Sequence, residues 1–106
     1  MTNDLQIEKT KNDQLLVLAF CGQLNSANSM KAREEVFEML DADIKELILD
    51  FVDLSYISSA GLRIVLELQK TMNGRGGKML VTNLMPDVRA AFEICGLSVL
   101  IHLEQE

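Results

Sequence analysis

An α/β domain, with a mixed β-sheet and helices packed on it, is the fold that this sequence predicts. Three observations predict it. Short apolar runs alternate along the chain with segments whose apolar residues recur every three or four positions. The first two runs are joined by a few polar residues, as in a hairpin, whereas the later ones lie a helix-length apart, which implies right-handed parallel crossovers. The chain has 106 residues, for which surface scaling gives roughly 6,000 Å² accessible when folded and about 65% of the extended surface buried. That is one core, so residues 1–106 are read as a single domain in the order β-β-α-β-α-β-α-β.

The elements follow in turn. Residues 5–9 alternate apolar and polar, as a half-buried strand does, and residues 10–13 are a polar turn. Residues 14–21 (QLLVLAFC) form an interior strand that Gly22 ends. Asn25 and Ser26 are good N-caps for a helix over 26–40, with Ala32, Val36, Met39 and Leu40 inward and Lys31, Arg33, Glu34, Glu35 and Glu38 in water. Residues 46–51 (ELILDF) form a buried strand, and 53–58 are a connection without strong periodicity. A second helix spans 59–72, its inner face marked by Gly61, Ile64, Val65, Leu68 and Met72, and its outer stripe by Arg63, Glu67 and Lys70. Residues 73–77 break it, and 78–82 (KMLVT) are a strand. Pro86 opens a short third helix with Val88, Ala91, Phe92 and Cys95 on one face, and Gly96 stops it. Residues 99–101 are a last short strand, and 104–106 a solvated tail.

Composition narrows the function. Sixteen acids against ten bases give a formal charge of −6, which leaves no electrostatic footprint for nucleic acid and would be repelled by anionic lipid. The one histidine, His102, lies in the tail, so no multi-histidine metal site exists and a nucleophile–histidine triad would have to use that residue. Cys21 and Cys95 form no C-x-x-C and read as small buried thiols in a reducing cytoplasm. With no leader and no apolar run near 18 residues, neither export nor membrane insertion is expected, and the chain reads as cytoplasmic.

The glycine cluster Gly74-Arg75-Gly76-Gly77-Lys78 fails both phosphate-loop templates. Met79 stands where Ser or Thr is needed, and the cluster leads from helix to strand rather than from strand to helix, so it is a helix stop. No cofactor or metal is implied, and the acids of residues 34–43 show no EF-hand spacing. The informative segment is Asp53-Leu54-Ser55-Tyr56-Ile57-Ser58-Ser59-Ala60-Gly61-Leu62, where two serines stand at the start of a helix. Either can serve as N-cap, worth about 1 kcal/mol. A serine in a first helical turn is equally a place where a phosphoryl group is tolerated, because free N–H groups and the positive end of the helix dipole favour its charge.

The stretch DLSYISSAGLRIVL resembles the signature of the STAS domain, as found in bacterial anti-sigma factor antagonists. The opening hairpin, the Gly22-Gln23-Leu24 segment, the LILD and KMLV strands and the PDVRAAFEICGL helix are similar as well, so the resemblance covers almost the whole chain. It implies a protein, not an enzyme, that binds an anti-sigma factor serine kinase of the GHKL type and so frees a sigma factor for transcription. It further implies that the kinase phosphorylates a serine at the start of the second helix, here Ser59, that the phosphorylated form lets go, and that a serine phosphatase reverses the step. ATP and Mg²⁺ then belong to the partner. Asn25, Ser58, Ala60, Gly61 and Leu62 form the expected contact patch around Ser59.

Three positions depart from the family's well-known members: Ser58 replaces an acid before the serine, Ala60 a Ser or Thr after it, and Asn25 an Asp. The first and third remove negative charge beside the site. These altered flanks motivate the alternative, a STAS scaffold of a transporter or signalling assembly that is never phosphorylated. A small enzyme is the third class, for which no nucleophile–base pair is visible.

Overall fold

The computed structural model describes residues 4–105 of the chain. Strands β1 (Leu5–Asn12) and β2 (Leu15–Leu24) form an antiparallel hairpin. Its turn is only Asp13 and Gln14, so β1 runs three residues further than the sequence suggests. Asp13 takes φ 58° there, a left-handed conformation that Asp tolerates and that a two-residue hairpin needs. Helix α1 (Ser29–Met39) leads to β3 (Glu46–Ile57), α2 (Ser59–Gly74), β4 (Lys78–Thr82), α3 (Pro86–Ile94) and a 3₁₀ turn at Leu97–Val99.

The sheet order is β1-β2-β3-β4, with β2, β3 and β4 mutually parallel. This mixed sheet, with its order of strands and helices, is the expected fold class. Leu16, Leu18 and Phe20 of β2, Leu47, Leu49 and Phe51 of β3, and Met79 and Val81 of β4 are buried under the helices. The alternate residues, among them Val17, Ala19, Ile48 and Leu80, are half-buried or exposed, so the helices cover one face of the sheet and the other stays open. Phe51 stands at the centre of the core, with Phe20 edge-on at 5.2 Å and Phe92 of α3 at 6.5 Å between ring centroids. The folded surface is 6297 Å², close to the scaling value.

Five local expectations change. Gly22 does not end β2. It pairs with Leu5 at φ +112°, where a Cβ would lie 2.1 Å from the Asp4 carbonyl oxygen, and the ladder to β3 shifts register on either side of it. Helix α1 begins at Ser29, three residues late, because 26–28 are a turn held by Asn25 and Asn28. The expected connection at 53–58 is instead the second half of β3, running on to Ile57. Both cysteines are exposed, Cys21 because it alternates onto the open face and Cys95 because it lies past the end of α3.

The last expected strand is the fifth change. Residues 99–101 turn instead, Leu100 donating to the Leu97 carbonyl three residues back, a 3₁₀ bond, and Ile101 to the same carbonyl four residues back. Among the described residues, the segment after the 3₁₀ turn pairs with the sheet at one parallel bridge, Leu103 against Val81. Val81 donates to the His102 carbonyl at 3.0 Å and accepts from the Glu104 amide at 2.7 Å. Of the predicted tail, Glu106 lies outside the described residues.

The glycine cluster is a helix stop as read. Gly77 donates to Met72 at 2.8 Å and Gly76 to Asn73 at 3.1 Å, closing the carbonyl end of α2, with Gly76 at φ +70°.

Candidate functional site

The site forms where β2 and β3 end side by side. Leu24 pairs with Ile57, the last residues of the two strands. The Ser58 amide then donates to the Leu24 carbonyl at 2.8 Å, one more rung of the ladder before α2 turns away. Ser55 Oγ donates to the Gly22 carbonyl at 3.1 Å, fastening the exposed part of β3 to β2.

Ser58 is extended, at φ −87° and ψ 171°, and its Oγ accepts from the Gly61 amide at 3.2 Å while its carbonyl accepts from Leu62 at 2.9 Å. That is N-cap geometry, and the residue is 6% exposed. The sequence left either serine as the cap; the structure gives the role to Ser58. Ser59, the first helical residue, is therefore released from capping and exposed. Among the described residues no protein group accepts from the amides of Ser59 and Ala60, so both stand free beside the Ser59 hydroxyl.

The other expected contact residues divide. Ala60 is half-buried, whereas Gly61 and Leu62 are buried and form the floor beneath the site rather than its surface. A Cβ on Gly61 would lie 2.8 Å from both Ile57 Cγ1 and Leu24 Cγ, so glycine is what lets α2 sit this close to the strand ends. Asn25 is half-buried and occupied: its Oδ1 accepts from the Asn28 amide at 3.0 Å, and its own amide donates to Asn28 Oδ1 at 2.9 Å. Asn28 Nδ2 donates to the Gln23 carbonyl at 2.9 Å. This reciprocal clamp shapes the loop from β2 into α1 and brings the start of α1 beside that of α2.

Residues absent from the expected patch lie beside it. A groove of 220 Å³ runs between α1 and α2, lined by Met30, Arg33, Ala60, Arg63 and Glu67 among others. Met30 is 75% exposed, a large apolar side chain at a helix start. Its position off the inner stripe of α1 was the available sequence signal. Arg33 Nε donates to Glu67 Oε1 at 2.8 Å, its Nη2 pairs with Oε2, and its guanidinium lies over the Phe37 ring at 4.8 Å. The hydrogen bonds from Arg33 hold the Glu67 carboxyl below the usual carboxylate range, and Glu67 raises Arg33 in return. Arg63 and Lys70 stand four and three residues from Glu67 on the outer stripe of α2, yet Glu67 pairs across to α1.

Such a surface can bind another protein and expose one hydroxyl to a modifying enzyme. Among the described residues no cluster of three or more His, Cys, Asp or Glu is placed to hold a metal ion, and no helix is long and apolar enough to cross a membrane.

Comparison with known proteins gives three kinds of match. The STAS domain model matches residues 6–106. A Bordetella bronchiseptica protein designated BtrV and assigned as an anti-sigma factor antagonist is 36% identical over 92 residues, which is 87% of this chain and 79% of that protein. Among solved structures, the anti-sigma factor antagonist SpoIIAA in its unphosphorylated form superposes with a TM-score of 0.77 at 22% identity, covering 96% of this chain and 89% of that one. The Bacillus SpoIIAA in its phosphorylated form gives 0.71 at 21% identity, covering 96% and 92%.

Proposed function

This chain belongs to the STAS domain family, and from that premise we propose that it is an anti-sigma factor antagonist switched by phosphorylation of Ser59. The unmodified protein binds an anti-sigma factor that is also a serine kinase of the GHKL type, and so frees a sigma factor for transcription. The observation that carries this reading is the division of labour between adjacent serines: Ser58 is buried and caps α2, while Ser59 is exposed with free amides beside it.

In the transfer, Ser59 Oγ bonds to the γ-phosphorus of ATP held by the kinase with Mg²⁺. The bond from that phosphorus to the β–γ bridging oxygen breaks, ADP leaves with the electron pair, and the hydroxyl proton passes to a base of the kinase. The product carries about −1.5 to −2 charges at the N-terminus of α2, where the fold accepts them. The fold relative SpoIIAA keeps this architecture in both states. What changes is the docking face: Ser59, Ala60 and the groove with Met30 and Arg63 gain charge and bulk, and the partner is released. A serine phosphatase resets the switch. The protein acts in the cytoplasm by binding rather than turnover, on proteins rather than nucleic acid.

Capture of partners from an extract of the native host, followed by incubation with the recovered kinase and ATP, tests the reading by intact mass and peptide mapping. One phosphoryl group on Ser59 is expected. Phosphate on another residue rejects Ser59, and failure to add any phosphate rejects the switch in favour of an unmodified STAS scaffold.

A further inference from the structure

Arg63 is exposed, lines the groove beside Ser59, and has no hydrogen bond or ion pair of its own among the described residues. That is unexpected from sequence alone, because Glu67 stands four residues on, the spacing at which an arginine and a glutamate on one helix meet. Glu67 is already taken, both of its oxygens being held by Arg33 from α1. Four residues the other way from Arg63 is Ser59, on the same face of α2 and one turn towards its N-terminus.

We propose that Arg63 is the internal partner of the phosphoryl group on Ser59. Its guanidinium donates to the phosphate oxygens along an i, i+4 pair while the free amides of Ser59 and Ala60 donate from beneath. The inference rests on the reading of Ser59 as the modified residue and adds a positioning residue to it. The cross-helix pair Arg33–Glu67 has a part in the device, since it keeps the competing carboxylate away. In the unmodified chain the Arg63 side chain stands over the groove; on phosphorylation it turns back one helical turn and leaves that face. A side chain of long reach is thereby exchanged for a fixed dianion and its counter-charge.

The test installs phosphoserine at position 59 by genetic encoding, so that no kinase is needed, and titrates it by phosphorus NMR. Arg63 favours the dianion, so R63Q should raise the second phosphate pKa by roughly 0.2–0.4 unit relative to the parent, while R63K, keeping the charge, should retain at least half of the depression. Arg33 and Glu67 also face the groove, and both are unchanged in these variants. An R63Q value equal to the parent's overturns the proposal, as does an R63K value equal to that of R63Q. Failure of the kinase assay above would reject Ser59 as a natural substrate while leaving this titration readable, so the two failures are separate.

Discussion

The Ser58 amide donates to the Leu24 carbonyl at 2.8 Å, and this bond fixes where the second helix may begin. It holds the end of β3 against the end of β2 one residue beyond their last pair, and Gly61 then passes directly over Leu24 and Ile57. The exposure of Ser59 follows from that close approach, because the helix must rise off the strand ends with its first residue outermost.

Gly61→Ala is expected to destabilise the protein by roughly 1–3 kcal/mol in urea denaturation, since the added methyl meets Ile57 and Leu24 well inside contact distance. An unchanged midpoint would mean that α2 is free to lift away, and the close docking of α2 on the strand ends would then not matter to the site.

The two serines should behave differently when each is shortened. Ser58→Ala removes the oxygen that accepts from Gly61 and should cost about 1 kcal/mol. Ser59→Ala, at an exposed position, should stay within about 0.5 kcal/mol of the parent. Equal losses in both would show that the capping role is shared.

Binding to the kinase should separate charge from shape. Ser59→Asp is expected to weaken the complex more than Ser59→Ala does, by calorimetry or surface-based binding at fixed salt, and the gap should narrow as salt is raised. Equal affinities would contradict an electrostatic release.

Acid stability has a definite sign. Asp41, through its hydrogen bond from Lys11, and Glu67, through those from Arg33, are both held below their ordinary values. A depressed folded pKa gives stability that is fully present above the unfolded value, about 4 for a carboxylate, and is lost as the pH falls through the folded one. Melting temperatures should therefore drop as the pH falls below about 4, and Glu67→Gln should flatten part of that drop. These pairs are solvent-exposed, with side chains 33–58% accessible, so the effect should be small and smaller still in high salt.

Helix α2 was legible in the sequence because its inner stripe keeps helical spacing from Gly61 to Met72, and every residue of that stripe is buried. The second half of β3 was not. Beyond Thr82 there is no β4 beside it, so Val52, Asp53, Ser55 and Tyr56 are exposed and the apolar alternation breaks where the register to β2 shifts. A strand whose outer side faces water reads as a loop. Cys21 was misread for the opposite reason: composition suggested burial, although it lies an odd number of residues from Leu16, Leu18 and Phe20 and so points to the other face. At the site the serines, Ala60 and Asn25 could be found by pattern. Met30 carried one signal, its place off the inner stripe of α1, but its meeting with Arg33 and Arg63 carried none, because only the clamp between Asn25 and Asn28 and the packing of α1 on α2 bring them together.

The strands lie in the sheet in the order in which they occur in the chain, β1-β2-β3-β4. No strand has to be threaded between two that are already paired, and each new one finds its neighbour in the segment just before it. The β1–β2 hairpin is the local pairing of the sheet, whereas the parallel pairs β2–β3 and β3–β4 join distant segments such as Leu15 with Glu46 and Glu46 with Lys78, so the hairpin can close first and serve as the template on which each slower crossover unit is laid down. The nascent chain needs only β1 to β3 and α2 as far as Glu67 to assemble the surface around Ser59. That surface can thus be in place before β4 and the segment that bridges it at Val81 have left the ribosome.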